Sequence, residues 1–220
     1  NKTNDLSGQG NTGTLTNMST TTSPVPGKIG QGLLFDGTND YVTTNQNVGI
    51  TGKTASVSMW FKTPSVAAYD VKVMFELSVN FNTNDAFIVS FNDNSGGSVP
   101  TMGGILASMH SAVGYSLYST NSRYDDDKWH HLIVALDRNQ AAAVDQTSVY
   151  VDGVKVAVTQ VGSYNGVHTS SFTNNAVYIA ARYGPVIPWK GLLDDVRIYN
   201  RALSAGEVAQ LYRQNNVRLK

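Results

Sequence analysis

The residues with the clearest chemical potential are two adjacent aspartates, Asp194 and Asp195, in the apolar segment GLLDDVRIYN. Successive side chains of a strand point to opposite faces, so the two carboxylates cannot both be solvated on one side. Asp194 is predicted to share its face with Leu192, Val196 and Ile198. A carboxylate on an apolar face is costly unless it is paired, hydrogen-bonded or bound to a metal. Asp194 is therefore predicted either to ligate a metal ion or to accept backbone N–H bonds at a turn.

A second candidate is the polar run YDDDKWHH at residues 124–131, which has the composition of a metal or catalytic cluster. Its three aspartates, Asp125, Asp126 and Asp127, are typical of a solvated turn between strands. His130 and His131 are adjacent in the strand that follows, so they face opposite sides and cannot chelate one ion together. We interpret this run as structural.

Composition excludes several classes of partner and site. The formal net charge is zero, so the chain lacks the basic field that nucleic acids or anionic membranes require. Its longest apolar runs are too short to cross a bilayer. The absence of cysteine excludes disulfides and thiolate-bound metals. The polar start without a visible signal peptide leads us to expect an excised, mature part of a larger chain.

Short strands separated by turn residues dominate the pattern. ASVSMWFKT alternates between apolar and polar positions, and SVYVDGVKVAV carries Asp152-Gly153, the signal of a type I′ hairpin. HHLIVALDR is apolar on both faces, as expected for a strand between two layers. Glutamate, which helices use freely on exposed faces, occurs only at Glu76 and Glu207. Strands at this spacing, about a dozen in all, predict a two-sheet sandwich or jelly roll.

Two segments depart from that pattern. STTTSPVPGKIGQ is predicted to be a loop, because Pro24 and Pro26 cannot donate to a ladder. Ser204 and Glu207 form a capping box at the start of a short C-terminal helix. The apolar face of that helix consists of Val208, Leu211 and Tyr212. We predict that it packs on the rim of a sheet.

Six motifs in this chain resemble those of laminin-G-like, concanavalin A-like jelly rolls, and most closely the bacterial LamG-like subfamily. They are DLSGQGNTGTL, GLLFDGTNDYV, ASVSMWFKT, DDDKWHHLIVALDR, SVYVDGVKV and GLLDDVRIYNRALSAGEVAQLY. The resemblance extends from Asp5 to Tyr212. It implies an all-β fold of two curved antiparallel sheets, and residues 1–220 are expected to form a single domain. Trp60 and Trp189 fall where the family keeps an aromatic residue for packing.

The same resemblance implies a structural calcium ion, which many family members carry. The family brings its early DGT turn close to the last strand, so Asp36 and Asn39 are the expected partners of Asp194. Calcium takes six to eight oxygen ligands, and backbone carbonyls of the turns are expected to complete the shell.

A glycan site is expected in the loops, because sugar recognition combines aromatic platforms with planar polar groups. Loops on a rigid scaffold carry function more often than the scaffold does. The candidate carbohydrate-binding residues are Tyr69, His110, Tyr115, Tyr164, His168, Arg182 and Tyr183. The alternative is that each tyrosine only covers the edge of the sandwich.

Catalysis is not expected from this sequence. The glucanases of the superfamily use an E-x-D-x-x-E strand motif, which is absent, and its lyases use Gln-x-His and Tyr-x-Lys strands, which are also absent. Glycoside hydrolysis needs two carboxylates across the scissile bond. Of the two glutamates, Glu207 is assigned to the helix cap and Glu76 stands alone in VMFELSV.

The leading interpretation is a non-catalytic, lectin-like module of a larger secreted or cell-surface protein that binds an oligosaccharide or polysaccharide. An alternative is a structural or adhesive domain that contacts protein or spaces its neighbours. A glycoside hydrolase or polysaccharide lyase with an unrecognised site is the third. No nucleic-acid partner and no membrane insertion are expected.

Overall fold

The protein is described from a computed structural model. The structure describes residues 2–44, 47–65, 71–78, 85–91, 103–112, 114–161, 166–172 and 175–216. The fold is two antiparallel sheets and one C-terminal α-helix, as predicted. The expectation that residues 1–220 form a single domain stays a prediction.

The first sheet has nine strands, here called sheet A. In chain order they are β1 (Lys2–Thr3), β2 (Gly13–Thr16), β5 (Tyr41–Thr43), β7 (Lys72–Leu77), β8 (Phe87–Phe91), β9 (Ile105–Ser111), β10 (Gly114–Thr120), β14 (Val158–Gln160) and β15 (Val177–Ile179). Their spatial order is β1-β2-β5-β15-β7-β8-β9-β10-β14. Strand β15, which comes late in the chain, thus lies between two early strands.

The second sheet has seven strands, here called sheet B. They are β3 (Pro24–Pro26), β4 (Gln31–Asp36), β6 (Thr54–Lys62), β11 (His130–Asp137), β12 (Thr147–Val151), β13 (Val154–Lys155) and β16 (Lys190–Tyr199). Their spatial order is β13-β12-β11-β6-β16-β4-β3. A short 3₁₀ helix, Ala143–Gln146, precedes β12.

Alternating side chains of both sheets meet in one core. From sheet A the core takes Phe75, Leu77, Val89, Ala107, Met109 and Val177, and from sheet B it takes Val57, Met59, Phe61, Leu132, Val134 and Leu193. Trp189 is fully buried in the same core, and Trp60 is buried on the outer side of sheet B. Both tryptophans therefore pack, as the family resemblance implied.

The helix α1 (Ala205–Asn216) lies on the outer face of sheet B rather than on a rim. Val208 and Leu211 pack with Ile133 and Tyr150, which project outward from β11 and β12. Tyr212 lies with its ring 5.8 Å from that of Trp60. The rim prediction is wrong because the outward side of β11 is apolar, and an apolar sheet face needs a cover.

The structure confirms the predicted capping box at the start of α1 and the predicted hairpin turn at Asp152-Gly153. At the helix start, the Ser204 main-chain N–H donates to Glu207 Oε2 at 2.9 Å, and the Glu207 N–H donates to Ser204 Oγ at 3.4 Å. Asp152 and Gly153 have φ angles of 52° and 81°, as a type I′ turn requires.

Pro24 and Pro26 correct the loop prediction, because they form strand β3 and pair with Leu33 and Gln31 of β4. Strand β3 is the last strand of sheet B. An edge strand needs a partner on one side only, so the missing N–H groups of proline are tolerated there.

Candidate functional site

Strand β16 carries a β-bulge that changes which side chains share a face. The register with β6 slips by one residue between Asp194 and Arg197, and Asp195 has a positive φ of 48°. Leu193, Val196 and Ile198 all pack against the inter-sheet core. The prediction that Asp194 shares a face with Val196 and Ile198 is therefore wrong, because the bulge inserts a residue and reverses the alternation.

Asp194 points away from the inter-sheet core and holds the loop between β3 and β4. Its Oδ2 accepts the Ile29 N–H at 2.7 Å, and its Oδ1 accepts the Asp195 N–H at 2.7 Å. A Cβ atom on Gly27 would lie 2.4 Å from Asp194 Oδ2, so the loop backbone packs directly on the carboxylate. Burial raises the pKa of Asp194, and the Ile29 and Asp195 N–H groups oppose that rise. This geometry matches the second alternative, acceptance of backbone N–H bonds at a turn.

The three predicted metal ligands do not converge. Asp36 pairs with Lys190 at one end of the β4–β16 ladder, and Leu33 pairs with Leu193 at the other. Asp194 follows Leu193, so it lies about 13 Å from Asp36 at the usual rise of about 3.3 Å per residue. Asp36 Oδ1 accepts the Thr38 N–H in an exposed turn, and the Asn39 carbonyl accepts the Asn17 side-chain amide. These residues do not fit one calcium ion.

Among the residues that the structure describes, no group of three or more His, Asp or Glu side chains is arranged to hold a metal ion. The calcium prediction therefore has no site among the residues proposed for it.

We expect Asp194→Ala to lower the free energy of unfolding by about 2 kcal/mol, because two charge-assisted hydrogen bonds to backbone are lost. Asp36→Ala, in an exposed turn, should change it by less than about 0.5 kcal/mol. Urea denaturation of both variants with and without a chelator measures this. If Asp194→Ala lowers the free energy of unfolding only when the chelator is absent, Asp194 binds a metal ion instead.

The polar side chains of the run at residues 124–131 bond within the run and to the neighbouring Arg123 and Asp152. Asp125 departs from the solvated-turn prediction, because its side chain is buried against Arg123, with Oδ2 2.7 Å from Nη2. Asp126 and Asp127 are exposed, as predicted. His130 bonds to Asp126 and Asp152 through its two ring nitrogens, at 3.0 Å and 2.8 Å. His131 faces the other way, against the rings of Trp60 and Tyr212.

A polar and aromatic surface lies instead on the outer face of sheet A. Its buried centre is Glu76 on β7, which points outward because its neighbours Phe75 and Leu77 point into the core. Tyr178 of β15 pairs directly with Glu76 across the ladder and occupies the same face. The Tyr178 ring lies 6.3 Å from Tyr41 and 5.7 Å from Tyr183.

Glu76 is fully buried although it is a carboxylate. Its Oε1 accepts a short hydrogen bond from the Ser78 hydroxyl, and Oε2 has no hydrogen-bond partner among the described residues. Burial raises the pKa of Glu76, while Ser78, the charge of Arg182 and the backbone of Tyr183 oppose the rise. A buried carboxylate is costly unless it is paired or hydrogen-bonded.

The loop 180–189 crosses the outward side of β7 and carries Arg182 and Tyr183. The Ala180 N–H donates to the Met74 carbonyl, and the Val73 N–H donates to the Ile187 carbonyl. Ile187 packs on the outward side chains of Val73, Ala86 and Ile88. Trp189 then enters the core beneath and fixes the end of the loop. Tyr183 is half exposed at 51%.

His110 and Tyr115 form the other side of the surface. They are paired across β9 and β10, and their rings stack at 5.4 Å. His110 Nε2 hydrogen-bonds to Ser108 Oγ at 3.1 Å. Burial, helped by the charges of Arg182 and Arg138, lowers the pKa of His110 to about 4, so the imidazole is neutral at pH 7. The charge of Arg182 thus reaches both Glu76 and His110.

Four of the seven predicted carbohydrate-binding residues therefore share one face: His110, Tyr115, Arg182 and Tyr183. We call them, with Tyr41 and Tyr178, the tyrosine face. Tyr69 and Tyr164 lie outside the described residues, so their predictions stay predictions. His168 is a correction, because it is fully buried and bonds to Ser111 Oγ at 2.7 Å and Ser116 Oγ at 2.8 Å.

Sequence reasoning missed Glu76, Tyr178 and Tyr41. Glu76 stands alone in an apolar strand, and a lone carboxylate does not predict a catalytic pair. That isolation was the usable signal, because a carboxylate is almost never fully buried without a partner. Tyr41 and Tyr178 lie in strands and were not sought there.

The tyrosine face has the parts that sugar recognition uses. Partly exposed rings can stack on the apolar faces of sugar rings, and a guanidinium and an imidazole can bond to hydroxyls. Among the described groups that shift the pKa of Glu76, none is a second carboxylate. These groups therefore do not give Glu76 the second carboxylate that a glycosidase requires.

The sequence matches the family described as the concanavalin A-like lectin/glucanases superfamily over residues 36–209. No curated protein matches it. Within the described residues, no helix has the length and hydropathy needed to span a membrane.

Solved structures share the fold at low sequence identity. Domain 4 of AbnA, a GH43 extracellular arabinanase from Geobacillus stearothermophilus solved with arabinotriose, is 23% identical with a TM-score of 0.64, covering 94% of this chain and 91% of that one. The heptameric SAP-like pentraxin from Limulus polyphemus is 15% identical with a TM-score of 0.57, covering 81% and 80%. The binding domain of Paraclostridial Mosquitocidal Protein 1 is 16% identical with a TM-score of 0.64, covering 96% of this chain but 49% of that one. The protein belongs to the concanavalin A-like lectin/glucanase superfamily.

Proposed function

We propose that this chain is a non-catalytic carbohydrate-binding module and that its tyrosine face holds the glycan. The observation that carries the proposal is the grouping of Tyr183, Arg182, His110 and Tyr115 on one outer sheet face, above a buried carboxylate. Partly exposed aromatic rings next to fixed polar groups are the usual composition of a sugar site.

The structural relatives support the proposal at the level of class. One of them, the arabinanase domain, was solved with arabinotriose, and another is the binding domain of a mosquitocidal protein. Both are parts of larger proteins by their descriptions, so we propose that this chain also serves a larger secreted or cell-surface protein.

The test is a glycan array followed by calorimetry on the neutral oligosaccharide that binds most tightly. We expect Tyr183→Ala to weaken binding by about tenfold or more, as for an aromatic hot spot. Leu34→Ala is the matched control, because Leu34 is 42% exposed on the outer face of sheet B. No array signal for the wild type, or equal losses in both variants, would overturn the proposal.

A further inference from the structure

Helix α1 encloses an imidazole on the outer face of sheet B. His131 is only 1% exposed, and its ring stacks on the ring of Tyr212 from α1, with the ring centres 6.0 Å apart. The ring of Trp60, its cross-strand partner on β6, lies 4.9 Å away. The imidazole therefore lies between the sheet and the helix, and the helix is part of what keeps water from it.

Only one ring nitrogen of His131 has a hydrogen-bond partner. Nε2 bonds to the Ser58 hydroxyl at 3.0 Å, whereas Nδ1 is buried without a hydrogen-bond partner among the described residues. A neutral imidazole carries one N–H, whereas an imidazolium carries two. Protonation of the enclosed ring would therefore place a charge and an unpaired N–H beneath the helix, which is costly in a buried site.

The charged groups around the ring do not offset this cost. Burial is the largest influence and lowers the pKa of His131 to about 4, while Asp195 and Asp152 oppose it and Arg197 adds to it. The Asp152 carboxylate bonds to the His130 ring and to the His131 main-chain N–H, and Asp195 bonds to Arg197. The loop between β3 and β4 adds a further positive charge, because Lys28 Nζ lies 4.5 Å from the centre of the Trp60 ring. From α1, the titratable group that faces the imidazole is Tyr212.

The helix is held over the imidazole by one apolar side. Val208 and Leu211 pack in a small cluster on the outer face of sheet B. Tyr212 packs on the hairpin turn, where an added Cβ atom on Gly153 would lie 2.8 Å from its ring. A helix of 12 residues is marginal in water without such packing. It can therefore open as a local unit while the sandwich stays folded.

We propose that α1 is a pH-sensitive strap over the outer face of sheet B and that proton uptake by His131 releases it. The neutral imidazole tolerates the cover of the helix, whereas the imidazolium needs water, which the helix excludes. Release of the strap exposes the apolar side chains beneath it, Trp60, Ile133 and Tyr150. The strap lies on the sheet opposite to the tyrosine face, so it does not depend on carbohydrate binding.

The direction and size of the effect follow from linkage. A released imidazole has the ordinary pKa of about 6.5, whereas burial lowers the pKa of the covered ring to about 4. The closed helix is therefore fully favoured above about pH 6.5 and loses that advantage as the pH falls towards 4. With these two pKa values, the ratio of released to closed protein rises by about 50-fold from pH 7 to pH 4.5.

Amide hydrogen exchange of the intact chain measures the release. After correction for the intrinsic pH dependence of exchange, protection of the α1 amides should fall by about 50-fold from pH 7 to pH 4.5, while amides of β6 and β11 stay protected. His131→Gln should abolish this fall, because glutamine does not titrate. His168→Gln is the matched control and should keep it, because His168 is also buried but bonds to Ser111 and Ser116 of sheet A.

Three results would overturn the proposal: α1 protection that does not change with pH, the same fall in His131→Gln, or loss of protection in α1 and the central strands together. If His131→Gln does not fold, an NMR titration of the His131 ring in the wild type decides the question. Titration of the ring in step with exposure of the α1 amides supports the strap. Titration near pH 6.5 with α1 still protected overturns it.

Discussion

We expect Asp85→Asn to lower the free energy of unfolding by about 3 kcal/mol. For a chain of this size, that loss corresponds to a melting temperature lower by about 6–12 °C. Arg138 Nη1 lies 2.9 Å from Asp85 Oδ1, and the two side chains are 0% and 9% exposed. Removing one charge of a buried pair leaves the other uncompensated, and that is the costly change.

The pair matters because it joins the two sheets. Arg138 follows β11 of sheet B, whereas Asp85 precedes β8 of sheet A. The guanidinium also donates to the carbonyls of Ser170 and His110 and lies 3.9 Å from the Phe172 ring centre. Burial lowers the pKa of Arg138, and Asp85 opposes the change.

Urea denaturation measures the difference. Asp85 has a positive φ of 76°, and asparagine tolerates that conformation, so backbone strain is not introduced. Asp145→Asn is the control, an exposed aspartate that should change stability by less than about 0.5 kcal/mol. The double variant Asp85→Asn/Arg138→Met should lose less stability than the two single variants lose together. If Asp85→Asn and the control are equally stable, the Asp85–Arg138 pair does not stabilise the fold.

A second large effect is expected from pH at His168. Burial, with smaller contributions from Arg138 and His110, lowers the pKa of His168 to about 4 in the folded state, whereas the unfolded value is about 6.5. A lowered folded pKa gives stability that is complete above about pH 6.5 and is lost as the pH falls towards 4. The contribution of His168 should therefore shrink by up to about 3 kcal/mol over this range.

His130 should behave in the opposite sense. The hydrogen bond that the His130 ring donates to the Asp152 carboxylate raises the pKa of His130, helped by Asp126 and opposed by burial. A raised folded pKa gives stability that is complete below about pH 6.5 and is lost as the pH rises through the folded value. His130 is thus a matched control of opposite sign.

The measurement is the free energy of unfolding of the wild type minus that of His168→Gln, followed from pH 7.5 to pH 4.5. This difference should fall with decreasing pH, while the same difference for His130→Gln should grow. A difference for His168→Gln that does not change with pH would mean that the imidazole has the same pKa in the folded and unfolded states, and would contradict this prediction.

Features set by local chemistry could be predicted from the sequence. The type I′ turn at Asp152-Gly153 and the capping box of Ser204 and Glu207 depend on residues adjacent in the chain. The burial of β11 on both faces could also be predicted, because its apolar run is continuous rather than alternating. These signals were sufficient for the antiparallel two-sheet fold.

Features set by distant segments could not be predicted. The bulge at Asp195 is a property of the pairing between β16 and β6, and it reversed the predicted face of Val196 and Ile198. The sequence predicts a loop position for His168, whereas the serine partners that bury it lie more than fifty positions earlier. The outward side chain of Val73 is covered by Ile187, which lies more than a hundred positions later in the chain.

The most direct measurement of the central claim is a crystal structure of the protein with a neutral oligosaccharide that binds it in solution. We expect the sugar on the outer face of sheet A, with one ring against Tyr183 or Tyr115 and a hydroxyl within hydrogen-bond distance of the Arg182 guanidinium. A sugar bound beside Leu34 on sheet B, or along the edge strands β3 or β14, would contradict it.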